Sequence, residues 1–270
     1  MPAVDLPRVR RQAIDLAGCL SQPLVFRSAL RQILEETSNR AYRAGPRIIA
    51  DAPPRGYHTP KPVLRELASA LLEPASYSPH AALETAGLLW PARIFEEQFV
   101  AAQLLGLAAP GLPEEALKCI EAWLPDLDSD HLADGLAGGG FCPLVRLNPV
   151  RYLGVARGWT ASPHKWTRRL AVATLLPLAR DRNFENVPAI LDVLKEVMAD
   201  PVPAVRKAAV QVLLALGPRS PAEVSRFLRE KLRYRNRHTA WIIERVLPAL
   251  DEEARASLTA LLRDPEARLP

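Results

Sequence analysis

The sequence predicts an all-α protein built as a right-handed solenoid of antiparallel helix pairs. Apolar residues recur at steps of three and four along nearly the whole chain, with no sustained alternation of period two. Aromatic residues make up only 6% of the 270 residues, while Ala and Leu dominate, which favours closely packed helices over a sheet. The 26 prolines are scattered singly, as expected at the corners of many short helices.

Each predicted helix is bounded by ordinary start and stop signals. Ser220 and Glu223 have the spacing of a capping box, with Pro221 at the first helical position. Gly217 stands where the preceding helix is expected to end. The predicted helices are 5–19, 23–50, 60–73, 79–91, 93–108, 113–124, 128–137, 148–160, 163–181, 185–199, 202–216, 221–233, 237–248 and 251–263.

Two segments interrupt the helical pattern. The Pro-rich and Gly-containing segment 51–56 predicts a hinge, which separates N-terminal helices in residues 1–54 from one continuous repeat domain in residues 55–270. The segment 138–143 begins with three glycines and predicts a break between helices in the middle of the chain.

The composition indicates a reducing compartment and gives no sign of metal or cofactor chemistry. Three cysteines, far apart and odd in number, are expected to be free thiols of a reduced cytoplasm. Neither they nor the five histidines show metal-ligand spacing, so we expect no metal and no cofactor. No apolar run approaches the roughly 18 residues that span a bilayer, and we expect no membrane partner. The net charge of +5 favours a polyanionic partner.

The stretch Asp200–Gly217 contains the clearest single motif. An Asp-Pro turn ends one helix, and a Val-Arg-Lys-Ala-Ala sequence then begins another helix that reaches the glycine. This order resembles one unit of a HEAT-type helical repeat. Stacked units of this type form a concave face that holds extended ligands.

Four segments in order carry a more specific resemblance: Tyr57–Leu67, Leu88–Gln98, Trp166–Val172 and Val205–Ala209. Together they resemble the DNA alkylation repair family, the HEAT-like DNA glycosylases that excise positively charged N3- and N7-alkylated purines. The resemblance covers roughly residues 55–250 and implies a concave face that binds duplex DNA.

The resemblance implies that Asp134 is the catalytic carboxylate, since it ends a run that matches the family's Trp-Asp-x-x-Asp motif. Such a carboxylate would stabilise the oxocarbenium character of the sugar as the cationic base leaves. An alternative is that Asp134 caps the glycine-rich segment that follows. Two family tryptophans are replaced: Asp130 takes the place of the first, and the second falls near Gln211.

The remaining candidates would contact DNA. Trp166 and Arg169 match a Trp-x-x-Arg step whose Arg reaches the DNA backbone in the family, and core packing is the alternative for Trp166. A basic cluster near the C-terminus is expected to track phosphates, or else to solubilise a convex surface. For the acidic residues Glu96 and Glu97, we expect a role in a structural ion pair rather than in catalysis. The candidate DNA contacts are Asp130, Trp166, Arg168, Arg169, Arg206, Lys207, Gln211, Arg233, Arg235 and Arg237.

Two functions therefore follow from the sequence. The first is a monomeric, cofactor-independent DNA glycosylase that acts in the cytoplasm on duplex DNA with alkylated bases, associated with the nucleoid if the source is bacterial. The second is a noncatalytic HEAT-repeat module that binds DNA or scaffolds proteins and has lost the glycosylase chemistry. Loss of the two tryptophans favours the second function, and retention of Asp134, Trp166 and Arg169 favours the first.

Overall fold

The computed structural model describes residues 5–38, 56–233 and 236–263. Every regular element within these ranges is helical, which confirms the all-α prediction. The chain divides into two compact units, Met1–Leu147 (unit 1) and Asn148–Pro270 (unit 2). The domain boundary predicted between residues 54 and 55 lies outside the described residues and stays a prediction.

The described part of unit 1 consists of short helices packed around α6. Its α-helices are α1 (Leu6–Gly18), α2 (Pro23–Thr37), α3 (Lys61–Ala70), α4 (Leu72–Tyr77), α5 (Pro79–Leu89), α6 (Phe95–Ala108), α7 (Pro113–Trp123), α8 (Asp130–Gly135) and α9 (Cys142–Leu147). The helix predicted over 23–50 ends at Thr37 within the described residues, and 39–50 lie outside them.

The N-terminal helices belong to the packing of unit 1. Helix α1 packs on α3, and α2 packs on α5. The Thr85 hydroxyl donates to the Leu20 carbonyl at 3.1 Å, which ties α5 to the turn after α1. The Arg10 guanidinium binds the Glu66 carboxylate through Nε and Nη2 at 2.9 and 3.0 Å. Helices α1 and α2 therefore share a core with the helices that follow them.

The glycine-rich segment is helical, so the predicted break was wrong. Residues Leu136–Phe141 form a π-helix that continues from α8 and leads into α9. The π-helix packs against α6 at a close backbone approach. A Cβ atom placed on Gly106 of α6 would lie 1.7 Å from the Gly139 carbonyl oxygen. The glycines thus serve helix-to-helix contact here rather than a turn.

Unit 2 consists of helix pairs in two layers. Its described α-helices are α10 (Pro149–Trp159), α11 (Lys165–Ala173), α12 (Leu175–Arg180), α13 (Val187–Lys195), α14 (Pro203–Leu216), α15 (Pro221–Leu232), α16 (Arg237–Val246) and α17 (Glu252–Arg263). In the first layer α10 packs on α13, α13 on α15, and α15 on α17. In the second layer α14 packs on α11 and α12 on one side and on α16 on the other.

The helix predicted over 163–181 is divided into α11 and α12 at Thr174. Pro177 explains the division, because proline has no N–H group to donate to the carbonyl one turn earlier. Helix α14 begins at Pro203 and ends before Gly217, as the sequence predicted. Among the described residues, no helix is both long and apolar enough to cross a bilayer.

Candidate catalytic and nucleic-acid sites

Helix α8 of unit 1 carries the two candidate carboxylates. The Ser129 hydroxyl caps the helix by accepting a hydrogen bond from the Leu132 amide at 3.3 Å. Asp130 and Asp134 are both half-buried and stand four residues apart, so they share one face of α8. A short capped helix thus presents two carboxylates side by side before the π-helix begins.

Two aromatic side chains of α6 pack against α8. The rings of Phe95 and Phe99 have centroids 6.3 Å apart, and the Phe95 ring lies 6.3 Å from the His131 ring. A Cβ atom placed on Gly135 of α8 would lie 3.8 Å from Phe99 Cδ2. Both phenylalanines are half-buried. The His131 Nδ1 atom lies 3.5 Å from the Asp130 Oδ1 atom.

Sequence reasoning missed Phe95 and Phe99 as site residues. Their four-residue spacing on α6 is the one signal that places them on a common helix face. Nothing in the sequence showed that this face of α6 would pack against α8, because that contact joins segments about 35 residues apart.

The acidic pair of α6 is structural, as the sequence predicted. The Glu97 carboxylate is fully buried and accepts from Arg31 Nε and Nη2 at 2.9 and 3.3 Å. This carboxylate raises the pKa of the Arg31 guanidinium. The Glu96 carboxylate accepts from the amides of Tyr57 and Thr59, each at 3.0 Å. Glu96 and Glu97 therefore hold an arginine and a loop in place.

Trp166 and Arg169 lie in the interior of unit 2. The Trp166 side chain is 5% exposed, and the Lys165 ammonium lies 4.5 Å from its ring centroid. Arg169 is 4% exposed, and its Nη1 atom donates to the Ala204 carbonyl at 2.6 Å. Arg169 joins α11 to α14 in this structure, and the predicted DNA contacts of both residues stay predictions.

Arg168 is likewise engaged within unit 2. Its Nε and Nη2 atoms donate to the Asp200 carboxylate at 2.7 and 3.3 Å. Its Nη1 atom donates to the carbonyls of Ser162 and Pro163 at 2.9 and 3.1 Å. These contacts fix the start of α11 to the turn before α14.

Arg206 repeats this pattern one helix pair later. Its Nη1 atom donates to the Asp200 and Pro201 carbonyls at 3.0 and 2.8 Å and lies 2.8 Å from His238 Nδ1. For Arg168 and Arg206 alike, the carbonyls precede the arginine by six and five residues, and the side-chain partner follows it by 32. His238 therefore stands where the earlier pair uses the carboxylate of Asp200. The Arg206 Nε atom is buried without a hydrogen-bond partner among the described residues.

The other candidate DNA contacts are distributed over the surface of unit 2. Lys207, Gln211, Arg233 and Arg237 are exposed. Gln211 lines a groove of about 1150 Å³ that no residue pattern had indicated. Arg235 lies outside the described residues, and its predicted phosphate contact stays a prediction.

Cysteine and metal chemistry find little support in the described residues. Cys19 and Cys119 are half-buried, and Cys142 is buried. Burial raises the pKa of the Cys119 thiol, which lowers the fraction present as the nucleophilic thiolate. The described ranges hold no group of three or more His, Cys, Asp or Glu side chains arranged to bind a metal ion.

Comparisons with known proteins identify the fold and the family. The structure is similar to that of smu.31 from Streptococcus mutans UA159, with 16% identity, a TM-score of 0.54, and coverage of 70% of this chain and 98% of that chain. It is also similar to AlkD2 from Streptococcus mutans, with 16% identity, a TM-score of 0.53, and coverage of 70% and 99%.

No curated protein matches the chain. The family model described as DNA alkylation repair enzyme matches residues 30–245. That match includes α8 of unit 1 and the helix pairs of unit 2 up to α16. The fold is the HEAT-like helical repeat that the sequence predicted, and the chain belongs to the DNA alkylation repair enzyme family.

Proposed function

We propose that the chain is a monomeric DNA glycosylase that excises positively charged alkylated purines, of the N3-methyladenine and N7-methylguanine type, from duplex DNA. Membership in the DNA alkylation repair family supports the partner and the reaction class. The observation that carries the proposal is the half-buried carboxylate pair on α8, the helix against which Phe95 and Phe99 also pack.

The proposed reaction uses the charge of the lesion itself. As the bond from the sugar C1′ to the base nitrogen breaks, the bonding electrons pass to the cationic base, which leaves neutral. The sugar then develops oxocarbenium character, and the Asp134 carboxylate stabilises this charge. Water adds to C1′ and gives up a proton to the carboxylate. The product is an abasic site.

The aromatic rings would complement this chemistry before the bond breaks. A cation over the face of a phenylalanine ring gains about 0.5–1 kcal/mol at an exposed position and about 2 kcal/mol when desolvated. A base that carries positive charge would gain this contact, whereas an unmodified base would not. Phe95 and Phe99 would thus offer an aromatic contact at α8, the helix on which Asp130 replaces a family tryptophan.

Asp134→Asn is the direct test. We expect the purified wild-type chain to release free base from duplex DNA that contains N7-methylguanine or N3-methyladenine. The amide of Asp134→Asn keeps the shape of the side chain but removes its charge, so release should fall by about 100-fold or more. Binding to the same duplex should change little. Release that persists in this variant would contradict the catalytic assignment.

Asp130→Asn is the matched control on the same helix face. Asp130 lies 3.5 Å from the His131 ring and is not the residue that ends the family motif. We expect a smaller loss of release from Asp130→Asn than from Asp134→Asn. An equal loss would mean that the two carboxylates act as a pair.

A noncatalytic DNA-binding function is the second candidate. The observation that favours it is the replacement of two family tryptophans by Asp130 and a residue near Gln211. It predicts tight, salt-sensitive binding to duplex DNA without release of any alkylated base. Measuring base release and binding on the same substrate separates the two functions.

A further inference from the structure

The groove that contains Gln211 lies wholly within unit 2. It is bounded by the end of α12, the segment that leads into α13, the last turns of α14 and the start of α15. Its polar lining consists of three arginines, two glutamates, a glutamine and a serine. Apolar side chains, among them Leu176 and Leu214, complete the lining.

One of the three arginines is fixed by the fold. Arg219 is half-buried, and its Nη1 atom donates to the carbonyls of Leu178 and Ala179 at 3.1 and 3.2 Å. These carbonyls belong to the last turn of α12, where the Leu178 carbonyl also accepts from the Asp181 amide at 3.2 Å. Arg219 therefore places a fixed positive charge at the end of α12 that faces the groove.

The other two arginines are presented to solvent. Arg180 and Arg182 are exposed, and within the described residues neither lies within salt-bridge distance of a carboxylate. Other arginines of unit 2 are neutralised: Arg157, for example, bridges Asp192 and Glu196 at 3.1 and 3.0 Å. The positive charge of Arg180 and Arg182 is thus directed outward rather than into the fold.

The acidic residues of the groove do not cancel this charge. Glu223 lies in the first turn of α15, where the positive end of the helix dipole offsets a carboxylate. Glu185 is exposed and precedes α13. The groove is therefore lined by three arginines and two glutamates, together with the apolar side chains of Leu176, Ala179 and Leu214.

We propose that this groove binds one sugar-phosphate strand of duplex DNA, with Arg180 and Arg182 contacting phosphates. Guanidinium groups bind phosphate oxygens bidentately, and apolar side chains pack against deoxyribose. Arg219 strengthens the local field without leaving its carbonyl partners. The proposal rests on the proposed function for the identity of the ligand, and it assigns the backbone contact to arginines that the sequence had not singled out.

The test compares two double variants of the full chain. Affinity for an undamaged duplex is measured by fluorescence anisotropy at several salt concentrations for wild type, Arg180→Gln/Arg182→Gln, and Arg11→Gln/Arg65→Gln. The last variant removes two exposed arginines from α1 and α3 of unit 1, and so matches the change in net charge. Thermal unfolding of each variant checks that the fold is retained.

We expect the groove variant to bind more weakly. The slope of the logarithm of affinity against the logarithm of salt concentration should fall in magnitude by about 1.8, since each phosphate contact contributes about 0.9. The Arg11→Gln/Arg65→Gln variant should change the slope by less than half as much. Gln211→Glu, which adds a negative charge in the groove while keeping both arginines, should also weaken binding.

An unchanged slope in the groove variant, or an equal loss in both double variants, would overturn the groove assignment. Base release by the wild-type chain separates this failure from failure of the proposed function. If release is observed while the groove variant binds normally, only the groove is wrong. If the wild type neither binds duplex DNA nor releases base, both proposals are wrong.

Discussion

At the scale of single residues, the arginines of unit 2 differ in ways that their sequence context does not reveal. Arg168 and Arg206 follow the same pattern of partners, but the first has a carboxylate partner and the second has an imidazole. A guanidinium paired with a carboxylate forms charge-assisted bonds through two nitrogen atoms. A histidine acceptor leaves the Arg206 Nε atom without a partner, which is unfavourable for a buried donor.

This comparison predicts that His238→Asp stabilises the protein. The new carboxylate would lie near the buried Nε atom of Arg206 and in the first turn of α16, where the helix dipole favours negative charge. We expect a higher midpoint of thermal unfolding at neutral pH. His238→Asn is the control, because it offers an acceptor without charge. An equal rise in both variants would show that charge plays no part.

The same contact predicts a dependence of stability on pH. Burial, together with the charges of Arg206 and Arg237, lowers the pKa of His238 below its ordinary value of 6.5, against an opposing effect of Asp200. The folded state thus prefers the neutral imidazole. This contribution is fully present above pH 6.5 and is lost as the pH falls through the lowered pKa. The midpoint of thermal unfolding should fall more steeply below pH 6.5 in the wild type than in His238→Gln.

A further residue-scale prediction concerns the rings beside α8. Phe95→Leu/Phe99→Leu keeps apolar side chains but removes both aromatic faces. If these rings bind the cationic base, release should slow by about 2- to 30-fold, which corresponds to about 0.5–2 kcal/mol. Phe95→Tyr/Phe99→Tyr keeps the faces and should retain most of the rate. Release that is unaffected by the leucine variant would remove the rings from the site.

At the scale of elements, the π-helix Leu136–Phe141 sets the position of α8. The π-helix follows α8 directly and packs against α6, where Gly106 permits close backbone approach. Helices α8 and α6 and the π-helix therefore form one packed group that contains Asp134, Phe95 and Phe99. π-Helical segments are frequent at functional sites.

Gly106→Ala tests this packing. The added methyl group would overlap the Gly139 carbonyl oxygen at 1.7 Å, so one helix must move. We expect a loss of about 1–3 kcal/mol in the free energy of unfolding, as for other overpacked cores. Gly138→Ala is the control, because a Cβ atom there meets nothing within 4 Å. Chemical denaturation measures both variants, and equal stability would contradict the close approach.

At the scale of the whole molecule, the candidate chemistry and the candidate backbone contacts belong to different units. Asp134 and the phenylalanines lie in unit 1, whereas the arginine groove lies in unit 2. The net charge of +5 is consistent with a DNA partner for a chain of this family. The predicted monomeric state remains to be measured by light scattering of the full chain with and without duplex DNA.

The sequence by itself determined the helical class, most helix starts and the family. These depend on local signals such as apolar periodicity, capping residues and the Val-Arg-Lys-Ala-Ala step after an Asp-Pro turn. It also identified Glu97 as a structural ion-pair residue and Asp134 as the candidate carboxylate. It did not separate α11 from α12, and it took the glycine-rich segment for a break, because glycine marks both turns and close helix contacts.

Only the tertiary structure decided which side chains are available to a ligand. Arg168, Arg169 and Arg206 are predicted DNA contacts, and the structure shows that other parts of unit 2 also provide partners for their guanidinium groups. No sequence motif pointed to Arg180 or Arg182, yet both line an open groove. The physical reason is that a helix period fixes which residues share a face, whereas the packing of the next helix pair decides whether that face is buried.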